Sequence, residues 1–188
     1  MSRRAASFIL GFALALLVGG GVWWWLSSRQ EGGRGRGAAG TAAQPGVKVS
    51  FQLYFPADGG VLKPEPRELQ VSESPKDRIR KILEGLLVGP TAAGLARPFP
   101  EEVVVGGVLL SRDGTAYIDL RWPNHEEPPP GGSTEEMQRV YSVVDSVTLN
   151  VPQAQRVVLL WNGVQRDTFS GHLDLSRPLL PDRALAGL

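Results

Sequence analysis

The chain has 188 residues, enough for one ordinary domain with accessory segments. Its net charge of +1 hides an asymmetry, because residues 1–46 hold five Arg against one Glu while residues 47–188 hold 15 basic against 18 acidic side chains. A mildly acidic main portion argues against DNA or RNA as a partner. The absence of cysteine excludes disulfides, thiolate metal sites, a cysteine nucleophile and lipid attachment through cysteine.

A short tail, residues 1–7, precedes nineteen uncharged residues from Phe8 to Leu26. As a helix these would span roughly 28 Å, close to the hydrocarbon thickness of about 30 Å. Trp23, Trp24 and Trp25 stand at the end of the run, where indole rings settle among headgroups, and Arg29, Arg34 and Arg36 follow. The expectation is a single-pass transmembrane anchor at 8–26. The rival is a cleaved signal peptide. It is disfavoured because the tryptophans and arginines intervene before any Ala-x-Ala-like site. Arginines on both sides leave the orientation open by charge. Residues 27–46 are rich in Gly and Ala with few apolar side chains, and read as a flexible linker.

Val47 to Phe55 alternates apolar and polar residues, the period of a half-buried strand. After Asp58-Gly59-Gly60 a second strand is expected at about Val61 to Val71, with Pro64 and Pro66 confining it to an edge. Ser74-Pro75 starts an amphipathic helix with Ile79, Ile82, Leu83, Leu86 and Leu87 on one stripe, stopped by Gly89-Pro90. Val103–Ser111 and Thr115–Leu120 form a hairpin through Asp113-Gly114. Ser133-Thr134-Glu135-Glu136 reads as a capping box opening a second helix with Met137, Val140, Tyr141, Val144 and Val147 as its stripe. Arg156–Trp161, the turn Asn162-Gly163 and Gln165–Phe169 close the order β-β-α-β-β-α-β-β. The predicted fold is α+β. It is a two-layer α/β sandwich with two helices on a mainly antiparallel sheet, the domain covering 47–180 and a C-terminal tail 181–188.

The ordered pieces Leu53-Tyr54-Phe55, Glu65 and Arg67, Leu86-Leu87 with Gly89-Pro90, and Asp113-Gly114 with Ala116 to Leu120 are joined by Glu136 and Tyr141 to Val144. Val158 to Leu160, Asn162-Gly163, Gly171 to Asp174 and Pro178-Leu179 complete the series. Together they resemble the GerMN domain of sporulation and spore germination proteins, over about residues 49–179. The resemblance implies a small α/β domain outside the cytoplasmic (inner) membrane, similar to the ring-building motifs of secretion-type channel proteins. Many such proteins are lipoproteins. This chain lacks the cysteine, so its apolar helix is expected to replace the lipid, and a role in spore formation does not follow from one domain copy.

Candidate chemistry rests on Glu65, Asp119, Glu136, His125 and His172, with Ser142 or Ser170 as conceivable nucleophiles. Each has a plainer reading: Glu136 as the capping carboxylate, Asp119 outward on a strand, Glu65 with Arg67 as an ion pair, His172 in a turn, His125 in a Pro-bound loop. His125 and His172 have no metal-ligand spacing, and no nucleophile elbow or phosphate loop is present. No catalytic residue, metal or cofactor is therefore expected. Trp122 and Trp161, with Glu65 and Arg67, are the interface candidates. The sequence points to a noncatalytic envelope protein that binds another envelope protein or itself. The alternative is a module binding cell-wall (peptidoglycan) glycan or assisting its hydrolysis, although paired carboxylates at a recognisable motif are missing.

Overall fold

The computed structural model describes residues 47–188, so the expected tail, anchor and linker at 1–46 lie outside the described residues. The element order is β1 (Val47–Ala57), β2 (Val61–Val71), α1 (Pro75–Val88), β3 (Val104–Leu110), β4 (Thr115–Arg121), α2 (Ser133–Thr148), β5 (Arg156–Trp161) and β6 (Val164–Gln165). The fold is α+β, with two helices packed on mixed sheets. Among the described residues no helix is long and apolar enough to cross a membrane.

The strands form two sheets, a β1–β2 antiparallel ribbon and a four-stranded sheet in the order β3-β4-β5-β6. β4 and β5 run parallel, from Thr115 opposite Arg156 to Leu120 opposite Trp161. This differs from a single sheet built of successive hairpins, and the cause is α2. A helix between two strands returns the chain to the end where the first strand began, and the second strand then runs parallel to it.

Phe51, Leu53 and Phe55 of β1 enter the main core with Ile79, Ile82, Leu83 and Leu86 of α1, Ile118 and Leu120 of β4, and the valines of α2. The reverse face of the ribbon is also covered. Tyr54 and Leu62 join Leu185 and Ala186 in a second apolar cluster, and the Leu62 N–H donates to the Leu185 carbonyl at 2.9 Å. Residues 181–188, read from sequence as a tail, are thus packed against the ribbon.

Helix starts differ in detail from their sequence signals. Pro75 is the first helical residue of α1 as expected, yet the Ser74 hydroxyl makes no capping bond. Asp77 in the first turn instead fastens the approach to the helix, accepting the N–H of Ser72 ahead of it at 2.7 Å. Helix α2 begins at Ser133 with Gly132 as its N-cap, so the capping box does not form. Glu136 sits one position too far along for it, and its carboxylate is engaged elsewhere.

Candidate functional site

Trp161 ends β5 and Trp122 follows β4, so the parallel pair delivers both indoles to one end of the sheet. Their rings meet edge to face with centroids 6.4 Å apart. Trp161 also contacts Phe169 at 5.4 Å and stacks on Phe99 at 6.4 Å, and it is 2% exposed. It is a core residue. Trp122 is half-buried and carries the exposed His125 ring parallel above it at 3.7 Å. The aromatic ladder therefore runs from the core out to the surface.

Asn162 holds this end together. Its φ of 51° is one that asparagine tolerates better than most residues. Its Oδ1 accepts the Trp122 N–H at 3.1 Å and its Nδ2 donates to the His125 carbonyl at 2.7 Å. Asp119 adds a second tie, accepting the Gly163 N–H at 2.7 Å and the Arg121 Nε–H at 2.8 Å. Asp119 is consequently committed to the turn.

Glu65 and Arg67 lie in β2, where they clasp the C-terminal end of α1. Glu65 accepts N–H groups from Thr91 at 2.9 Å and Ala92 at 2.8 Å, and pairs with Arg67. Arg67 in turn donates to the Gly89 carbonyl at 2.7 Å and lies over the Phe55 ring. Burial would raise the Glu65 carboxyl, but the Ala92 N–H, the Arg67 guanidinium and Thr91 outweigh it and hold it lowered to about 2. The pair is an inter-element tie, as one sequence reading expects, and the carboxylate is almost wholly buried.

The Glu136 carboxylate, 0% exposed, is the hub of a second clasp. It accepts the N–H groups of Ser170 at 2.8 Å, Leu173 at 2.9 Å and His172 at 3.0 Å, together with the His172 ring at 2.8 Å. Burial pushes its carboxyl upward, and these donors more than reverse the push, so the group stays below the usual carboxylate range. The Ser170 hydroxyl donates to the Pro129 carbonyl and the Ser142 hydroxyl to Gln138. Neither hydroxyl is thereby aimed at the imidazole, and the arrangement fastens residues 170–173 to α2.

Sequence reasoning passed over Asp145. It is 0% exposed, one oxygen accepts the Asp182 N–H at 3.0 Å, and the other has no hydrogen-bond partner. Burial, reinforced by the neighbouring Asp182 carboxylate against the pull of that N–H, pushes its carboxyl up to about 7. The available signal was the run Ser142 to Val147, every residue of which is buried. Small hydroxyl side chains among valines mark a helix enclosed on all sides.

Chemically more open ground lies on the four-stranded sheet. On the face of β3 and β4 away from the main core, Val104, Leu109 and Tyr117 are 49%, 60% and 39% exposed, with Leu109 directly opposite Tyr117. Beside Val104 a groove of about 480 Å³ runs between β3 and the end of α1, lined by Leu87, Val88, Val103 and Val105 with Glu84, Arg97 and Glu101 at its polar positions. Among the described residues no group of three or more metal-binding side chains converges.

A comparison with curated protein sequences gives no match. Among solved structures, the first GerMN domain of the sporulation protein GerM from Bacillus subtilis superimposes with a TM-score of 0.56 at 22% identity, covering 72% of this chain and 98% of that one. The tandem GerMN domains of the same protein give 0.52 at 22% identity, over 71% of this chain and 46% of theirs. A candidate lipoprotein from Clostridium perfringens gives 0.51 at 19% identity, over 72% and 88%. These likenesses are of fold. The sequence itself matches the Germane family, described as sporulation and spore germination, over residues 52–167, more than half of its length, and the chain belongs to that family.

Proposed function

We propose that this protein is a noncatalytic, envelope-associated interaction module, held at the cytoplasmic membrane by residues 8–26 with its domain on the outer side. The observation that carries this reading is the open sheet face, where Val104, Leu109 and Tyr117 stand exposed and Leu109 lies directly opposite Tyr117. Apolar side chains gathered on one surface signal a partner more often than singly scattered ones do. The acidic groups that chemistry would need are already consumed: Glu65, Asp119 and Glu136 each accept backbone N–H groups within the fold. The fold of the Clostridium perfringens candidate lipoprotein supports an envelope location, with the apolar run standing in for a lipid.

The test is a photo-crosslinking residue placed at Leu109 in the full chain in native membranes, compared with one at the exposed Lys63 of the ribbon. Protein adducts from position 109 in excess of those from position 63 are expected. Absence of that excess, with retention of the protein on purified cell-wall polymer, would replace this reading by the glycan-binding alternative.

A further inference from the structure

Every sheet in this domain has edges whose N–H and C=O groups must be satisfied or shielded, and the edges are treated unequally. The free edge of β1 is covered by side chains that imitate a strand. Asn150 accepts the Gln52 N–H at 2.9 Å and returns a bond to the Gln52 carbonyl at 2.7 Å. Ser146 accepts the Tyr54 N–H at 2.9 Å, and the Ala96 N–H meets the Pro56 carbonyl at 2.8 Å. The free edge of β2 places Pro64 and Pro66, which have no N–H, after Leu62, whose N–H is taken by Leu185. At the far side of the larger sheet β6 is only two residues long.

β3 lacks the backbone pairing that shields the edges of the ribbon, and the first helix α1 packs beside it. It is terminal in its sheet and seven residues long, and among the described residues its only strand partner is β4. Among the described residues no hydrogen bond from a side chain or loop reaches Val104 to Leu110. Its outward side chains are apolar, Val104 and Leu109, where a shielded edge carries charge. The bulge at Gly106, with the Arg121–Asp119 ion pair lying over it, blunts the middle of the strand and leaves both of those residues on the same open face.

The charges at the two ends of this strand are complementary. Glu101 and Glu102 precede it and Arg112 follows it, all exposed and all without an ion-pair or hydrogen-bond partner among the described residues. We propose that β3 pairs antiparallel with β3 of a second copy about a two-fold axis, joining two four-stranded sheets into one of eight strands. Only the antiparallel arrangement brings the acidic end of each strand to the basic end of the other. It is isologous, so each contact is made twice. It also lays Val104 of one copy near Leu109 of its partner, extending the apolar face across the junction, and it brings each copy's edge into the groove at the end of α1.

The strand is short, so the pairing gains from tethering. Anchored copies share a surface, and confinement raises the effective concentration of one edge around another. This inference rests on the open-face reading above and adds to it the identity of the partner.

The chain has no cysteine, so introduced thiols report without background. In the full chain in membranes, a mixture of the Val104→Cys and Leu109→Cys variants is expected to give several-fold more disulfide-linked dimer than either variant alone. Glu102→Arg and Arg112→Glu are each expected to reduce that yield, and the chain carrying both changes to recover it, an outcome that simple misfolding would not produce. Preferential linkage within a single variant, or failure of the double charge swap to recover yield, would overturn two-fold pairing. If position 109 still crosslinks to a different protein, the interaction reading survives and this partner falls. If it crosslinks to nothing, both fall.

Discussion

Asp145 has the most unusual chemistry of any single side chain in the domain. An aspartate carboxyl in an unfolded chain titrates near about 3.9, whereas in the folded domain burial holds it up to about 7. A raised carboxyl means that the folded state binds the proton more tightly than the unfolded state. Stability therefore falls as pH rises from about 4 to about 7, by about 4 kcal/mol at most, and is level above that. Glu65 and Glu136 act in the opposite sense, since their depressed carboxyls contribute stability that disappears only as pH falls below about 4.5. Between pH 5 and 7 Asp145 is thus separated from the carboxylates Glu65 and Glu136, and comparison with a variant lacking its carboxyl separates it from the histidines. Groups facing it are Asp182 from the C-terminal segment, Tyr54 from β1 and Tyr141 from α2; burial and Asp145 raise the Tyr54 phenol against the pull of Arg183, and burial, Asp182 and Asp145 raise that of Tyr141. Urea denaturation across this window should show stability declining with pH in the native chain and a flatter profile in Asp145→Asn. Equal slopes in the two proteins would refute the assignment.

Among the elements, the junction between the β5–β6 turn and the segment after β4 depends on Asn162. Asn162→Gly keeps the positive φ but loses the bonds to Trp122 and His125, while Asn162→Ala loses the bonds and strains the backbone as well. The expected order of stability is native, then Gly, then Ala, with the Ala variant down by about 2–3 kcal/mol. Tryptophan fluorescence should report the loosening locally, because Trp122 lies at this junction. A Gly variant as unstable as the Ala variant would show that φ plays no part. Much at this scale was legible beforehand. Period-two alternation located β1, a short apolar run located β5 and period-3.6 patterns located both helices, and Asp-Gly and Asn-Gly located their turns, because those signals are local. The parallel β4–β5 pairing was not legible, since strand direction depends on where α2 packs. The capping box failed for a related reason: Glu136 is drawn to the N–H groups of residues 170–173, distant in sequence, and Gly132 takes the cap. Of the interface candidates, Trp122 and Trp161 are brought together as a gradient from surface to core, while Glu65 and Arg67 belong to a separate clasp.

For the molecule as a whole, the last eight residues matter more than their composition suggests. Leu185 and Ala186 cover Tyr54 and Leu62, and Asp182 meets Asp145. Deleting residues 181–188 should destabilise the domain by about 2–5 kcal/mol, the range for removing a well-buried large apolar side chain, measured as a lower midpoint in thermal or chemical unfolding. An unchanged midpoint would mean that the segment is merely laid on the surface. β1 and β2, joined by the tight turn at Gly59 and Gly60, are the first elements of the domain in chain order, so the ribbon is among its earliest parts to leave the ribosome. The residues that cover its outer side follow every other element of the domain. Until they emerge the ribbon carries an uncovered apolar patch, so the order of manufacture makes residues 181–188 the closing step of the domain's folding.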